Sequence, residues 1–302
     1  MTRARLIPIA VATALLIGSL GSAAPASAVV ATYSTSAPII LQEVPAADLN
    51  SNKNGVCTAG ATHVIKNAQG GLNVASYASA AAACNLKVIW AFPDSVNYAT
   101  GRIYTTQVSK WVRRVKNLSN TWGYLSVKEP SWSRITGAEI RTLYRSYRKA
   151  DPNPDHKVMA LFGDIPHFGW ARNPYTKGMA NVVMVDWYPV ETTNGSNTRY
   201  LTGASKWFPK VRRYVARTTP GVPVYLMAQT HKYLRPATHK KQRPTQAQLS
   251  RQVREGFGYL GADGIAFHVW RNTNYNRDQL RDPQMVDWIA ALATSIKDGT
   301  FH

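Results

Sequence analysis

Glu129 is the one acid in Tyr124-Leu-Ser-Val-Lys-Glu-Pro-Ser-Trp132, an apolar run with strand character that Pro130 stops because it has no N–H to donate. A carboxylate left at the end of a strand is free to work on a ligand. Other apolar runs end the same way: Lys157 to Asp164 closes on an acid, and Asn181-Val-Val-Met-Val-Asp-Trp-Tyr188 puts Asp186 and Tyr188 on one face by the period of two. Val222 to Gln229 ends in an amide followed by His231, Gly264 to Trp270 carries His268 and Trp270, and Lys87 to Asp94 ends in a further acid. Trp132, Trp187 and Trp270 all stand near run ends. Carboxylates to move a proton or face an oxocarbenium-like centre, aromatic faces for the apolar side of a pyranose, and amides or imidazoles for its hydroxyls make up the equipment of a sugar site. Asp94 also has a plainer use, as a cap for the helix that follows it.

Such groups can converge only if the runs are neighbouring parallel strands. Between them the text is helical. Val108, Trp111, Val112, Val115 and Leu118 recur at helical spacing, as do Ile140, Leu143, Tyr144 and Tyr147 behind the capping box Thr136-Gly-Ala-Glu139. A helix around Trp207 to Val215, another opened by Thr245-Gln-Ala-Gln248, and a closing one behind Asp282-Pro283 continue the alternation. With Ile39 to Gln42 as the first strand, the count predicts a (β/α)8 barrel in a single domain over residues 29–302, whose functional groups leave the C-terminal strand ends. An open doubly wound sheet competes, but no strand is followed by a glycine-rich phosphate turn. No cofactor motif and no metal-ligand spacing stand out: His231 and His239 lie far from Cys57 and Cys84.

Gly123-Tyr-Leu-Ser-Val-Lys-Glu-Pro, Val185-Asp-Trp-Tyr-Pro, the Gln229 run end and Gly261-Ala-Asp-Gly-Ile-Ala-Phe-His-Val-Trp270 resemble secreted TIM-barrel proteins of the glycoside-hydrolase superfamily. The resemblance is one of pattern over residues 120–290 and implies an exported glycan-acting protein. In the retaining clan with glutamates after the fourth and seventh strands, the acid/base is written Asn-Glu-Pro; here it is Lys128-Glu129-Pro130, and Gln229 stands where the nucleophilic glutamate would be. An amide cannot act as an ionised nucleophile. Three readings stay open. Glu129 acts as general acid with Asp186, or else Asp164, as second carboxylate; or Asp186 and Tyr188 hold an N-acetyl group in a substrate-assisted reaction; or the barrel only binds glycan. For the first reading the expected Glu129–Asp186 separation is roughly 6.5 to 9.5 Å. Substrate contacts are expected from Tyr188, Gln229, His231, His268, Trp270, Trp132 and Trp187.

Arg3 and Arg5, the apolar stretch Leu6 to Leu20 and Ala26-Ser27-Ala28 read as a signal peptide over residues 1–28, and no later segment is apolar for long enough to span a bilayer. Secretion makes Cys57 and Cys84 a disulfide pair. The formal charge is +20; Arg3 and Arg5 account for two of it, leaving +18 on the exported chain. Such a field attracts polyanions, including anionic cell-wall polymers. Most of the cations fall on helix faces opposite the apolar stripe; the His239 to Arg243 cluster falls in a loop and carries no aromatic residue, which argues against nucleic acid. A monomer is expected.

Overall fold

The apolar runs fold as written. The computed structural model describes residues 33–50, 55–130, 133–163, 174–193, 197–231, 239–241, 243–268 and 283–301, so the expected signal segment lies outside the described residues. Eight parallel strands close on themselves in chain order: β1 (Ile39–Gln42), β2 (His63–Asn67), β3 (Lys87–Ala91), β4 (Thr121–Lys128), β5 (Lys157–Phe162), β6 (Val182–Trp187), β7 (Val224–Gln229) and β8 (Gly264–His268), with β8 pairing back onto β1. The helices α1 (Ala46–Asn50), α2 (Val74–Ala83), α3 (Thr105–Val115), α4 (Gly137–Ala150), α5 (Ala204–Thr218), α6 (Gln246–Glu255) and α7 (Pro283–Lys297) are interleaved with them. This is a TIM barrel.

Strand alternation makes two cores. Ile40, Ile65, Ile89, Leu125, Met159, Met184, Met227 and Ala266 fill the barrel, while Leu41, Val64, Trp90, Val158, Val183, Leu226 and Phe267 face the helices. Burial of both faces is what a parallel barrel demands, and it explains why the strands read as continuous apolar runs. Both expected capping boxes are formed, Thr136 with Glu139 and Thr245 with Gln248, and each satisfies two backbone donors at its helix start. Cys57 and Cys84 are disulfide-bonded, their Cα atoms 4.7 Å apart, which ties the segment after α1 to the end of α2.

Strand β4 departs from regular alternation. Its register against β5 runs Leu125 to Met159 and then Val127 to Ala160, so Ser126 is an extra residue and the strand bulges. Ser126 turns its hydroxyl to the Met159 carbonyl at 2.8 Å. The bulge resets the parity: Val127 faces the helices and Lys128, opposite Leu161, faces the barrel. Beyond the barrel, Val190–Thr193 pairs antiparallel with Asn197–Tyr200 and with His239–Lys241 in a small sheet over the β6 and β7 ends. The start of the basic 239–243 cluster is therefore an edge strand and not a loop. A two-strand ribbon, Val96–Asn97 with Arg102–Ile103, follows β3.

Candidate functional site

Beyond the bulge, Glu129 takes a left-handed backbone, φ 45°, while its N–H still reaches the Leu161 carbonyl at 2.7 Å. A non-glycine residue held there stores about 1–3 kcal/mol of strain, and that conformation turns the half-buried carboxylate away from the regular strand direction. From β6, Asp186 follows Val182 and Met184 on the inward face and meets it. The Glu129 carboxyl stands beside that of Asp186, close enough for its charge to act on it, and the Tyr188 hydroxyl donates to Asp186. Burial, reinforced by the Glu129 charge, holds the Asp186 carboxyl well above the usual carboxylate range; the Tyr188 hydrogen bond works against that rise. Burial together with the two neighbouring acids also pushes the Tyr188 hydroxyl up. A carboxyl group buried beside a second acid favours its protonated form, and here that group is Asp186.

Asp186 Oδ2 is buried and has no hydrogen-bond partner among the described residues. Beyond Tyr188 lie two imidazoles. The Tyr188 ring stacks on His268 with centroids 5.6 Å apart and meets His231 edge-on at 5.0 Å, and the two histidine rings cross at 4.7 Å. His268 Nδ1 donates to Gln42 Oε1 from β1, and His231 Nδ1 donates to the His268 carbonyl at 3.0 Å. Burial, helped by His231 and Lys128, depresses His268 well below its ordinary value and keeps it neutral.

Gln229 and Trp187 need correction as sugar-binding groups. Gln229 is fully buried: its Oε1 accepts from the Val190 N–H at 2.9 Å, and its Nε2 donates to the carbonyls of Val190 at 3.0 Å and His231 at 3.2 Å. The amide staples the segments after β6 and β7 together, because backbone groups buried there need partners. Trp187 points out of the barrel and packs edge-on against Phe208 of α5, centroids 5.7 Å apart. Asp94 takes a structural role: the Trp111 indole N–H lies 3.0 and 2.9 Å from its two oxygens, fixing α3. Asp164, Trp132 and Trp270 lie outside the described residues.

The structure adds Glu43, Asn67, Lys128 and Tyr98. Lys128 Nζ lies 3.3 Å from Glu43 Oε1 and 3.5 Å from Asn67 Oδ1, while its N–H donates to the Tyr98 hydroxyl at 3.0 Å. Glu43 repeats the Glu129 device, a left-handed residue (φ 64°) directly after a strand, with its N–H on the next strand's Ile65 carbonyl at 2.9 Å. The signal was present in Ile39-Ile-Leu-Gln-Glu43, an apolar run ending in an acid. Among the described residues, no group of three His, Cys, Asp or Glu could hold a metal ion, and no helix is long and apolar enough to cross a membrane.

The barrel is similar in structure to several glycoside hydrolases. A beta-galactosidase from the psychrophilic Marinomonas ef1 matches with TM-score 0.58 and 10% identity over 86% of this chain and 59% of its own. The beta-glucuronidase of Ruminococcus gnavus matches with TM-score 0.58 and 12% identity over 87% and 49%. A provisionally assigned alpha-L-fucosidase from Bacteroides thetaiotaomicron matches with TM-score 0.58 and 9% identity over 85% and 95%. This chain spans about half to three-fifths of the first two hydrolases. At these identities the likeness is one of fold. No protein-family model and no curated protein matches the sequence.

Proposed function

We propose that this chain is an exported glycoside-hydrolase-like protein that acts on a glycan, with Glu129 as general acid and Asp186 as second carboxylate. The observation that carries the proposal is the meeting of a strained, half-buried Glu129 after β4 and a buried Asp186 on β6, across the intervening β5, with the Asp186 carboxyl held toward its protonated form. In the resting pair Asp186 is where burial keeps the proton. A glycan seated between the carboxyl groups parts them and removes the nearby Glu129 charge that helps hold the proton on Asp186. The proton passes to Glu129, the more exposed of the two, which delivers it to the glycosidic oxygen and leaves Asp186 ionised as the base. The C–O bond breaks with its electron pair on that oxygen, and water adds to the anomeric carbon as Asp186 takes the water's proton. Glycoside-hydrolase folds among the structural neighbours support a carbohydrate as substrate. Tyr188, His231 and His268 form the wall that such a ring would meet. The disulfide is compatible with export.

A second reading, a barrel that binds glycan without cleaving it, is favoured by Gln229, an amide already spent on the protein's own backbone at the position where the retaining clan carries its nucleophile. Turnover of a glycan library separates the two. On the catalytic reading, Glu129→Gln lowers turnover of any cleaved glycan by about 10²- to 10⁴-fold with an unchanged melting temperature. Undiminished cleavage by that variant removes Glu129 from the mechanism, and glycan binding with no cleavage by the wild type establishes the second reading.

A further inference from the structure

The outer face of α5 carries a feature that the barrel mouth does not use. Its fifteen residues include no acid. Phe208, Val211 and Val215 are buried against the barrel, whereas Lys206, Lys210, Arg213 and Arg217 are all exposed. At about 100° per residue these four cations fall within an arc of roughly 60°, directly opposite the buried stripe, with axial steps of about 6, 4.5 and 6 Å. Asp263 pairs with Arg212 at 2.8 Å, and Arg212 lies off the stripe. None of the four pairs with a carboxylate among the described residues. The cations are thus lined up over about 16 Å with no carboxylate partner among the described residues, in a chain whose formal charge is +20.

Trp207 lies beside the row and narrows the partner. The ammonium groups of Lys206 and Lys210 lie 4.6 and 4.7 Å from its ring centroid, and a Cβ on Gly203 would come within 3.2 Å of its Cδ1 and Nε1. The indole therefore serves as a platform that holds two lysines in the row, covered by them and by the backbone of residue 203. It is not laid open for stacking on a base, which single-strand nucleic-acid binding uses. The guanidinium groups of Arg213 and Arg217 suit an anion that offers two oxygens at once, as a phosphodiester does.

We infer that the Lys206-Lys210-Arg213-Arg217 face of α5 docks a linear phosphodiester polymer that carries no bases, of the polyol-phosphate kind. The docking is independent of the acid pair in the mouth and holds whether or not that pair turns over a glycan. The test is fluorescence anisotropy of a labelled synthetic poly(glycerol phosphate) chain with the full-length mature protein across a salt series. The comparison is between K206Q/K210Q/R213Q/R217Q and a charge-matched control, K110Q/R113Q/R145Q/K149Q, which removes exposed cations from α3 and α4. Glutamine is a good helix former, so both variants keep their melting temperatures. The stripe variant should lose at least about tenfold in affinity at low salt, and its slope of log affinity against log salt should be shallower by about 3, since each lost contact removes about 0.7. The control should stay near wild type. Equal losses in the two variants would reduce the effect to bulk charge and overturn the inference. So would binding indifferent to salt, or tighter binding of a single-stranded thymidine oligomer of equal charge.

Discussion

Strands β6 and β7 are hydrogen-bonded neighbours, Met227 opposite Asp186, and each ends in a buried polar side chain, yet the two ends are built for opposite purposes. At the end of β7, both ends of the Gln229 amide are engaged by backbone groups. At the end of β6, Asp186 keeps one oxygen without a hydrogen-bond partner among the described residues, stands beside a second acid, and is pushed toward its protonated form by burial. A saturated buried polar group is a staple, and its removal is felt in stability. An unsaturated one costs stability and is retained where a ligand can complete it. The floor of the barrel supplies a control for that distinction. His63 Nε2 is likewise buried and without a hydrogen-bond partner among the described residues, but it faces Trp122, centroids 5.1 Å apart, at the end opposite the acid pair.

The largest effect expected from this contrast is at β6. Asp186→Asn should lower turnover by about 10²- to 10⁴-fold, comparable with Glu129→Gln, because the amide can neither hold a proton for transfer nor accept one from water. Its stability should change in the other direction. In the wild type the unfolded Asp186 ionises near pH 4 while the folded one keeps its proton, so its contribution to stability declines as pH rises above about 4. Urea titrations from pH 4 to 8 should show that decline removed in Asp186→Asn. A variant that is inactive only because it unfolds would break the comparison.

Next in size is β7. Gln229→Ala leaves the Val190 N–H and two carbonyls without their partner and should cost about 3 kcal/mol in urea denaturation. Turnover per folded molecule should change far less than in either acid variant. Full stability combined with lost turnover would make Gln229 a substrate group after all.

His63 should give an effect of similar or smaller size that shows only in acid. Burial first and Lys87 second hold its pKa at about 4, below the usual 6.5. The folded imidazole is neutral where the unfolded one is protonated, so stability present above pH 6.5 is lost as pH falls toward 4, by up to about 3 kcal/mol. His63→Gln should flatten that limb and leave turnover at pH 7 unchanged. A matching loss of turnover would mean that the floor and the mouth are coupled.

The barrel itself was legible because its cause is local. Period-two runs buried on both faces, helical stripes between them and two capping boxes each occupy a few consecutive residues, and burial then has one arrangement of eight such units to settle into. The short antiparallel sheet was not legible, since His239–Lys241 and Asn197–Tyr200 become strands only by pairing with Val190–Thr193. Glu129, Asp186, Tyr188 and His268 could be picked out as polar ends of apolar runs, and the structure brings them to one mouth. Whether such a residue reacts or merely holds the protein together depends on partners far away in sequence. Gln229 is claimed by Val190, Asp94 by Trp111 and Trp187 by Phe208, while Lys128 and Glu43 enter the mouth because a one-residue bulge in β4 and a left-handed residue after β1 turn them there. Sequence by itself determined which side chains stand at strand ends, because alternation and chain breakers are properties of neighbours along the chain. Only the tertiary structure decided which of those side chains remain unsatisfied, because hydrogen-bond saturation and the raised Asp186 carboxyl depend on groups that folding alone brings together.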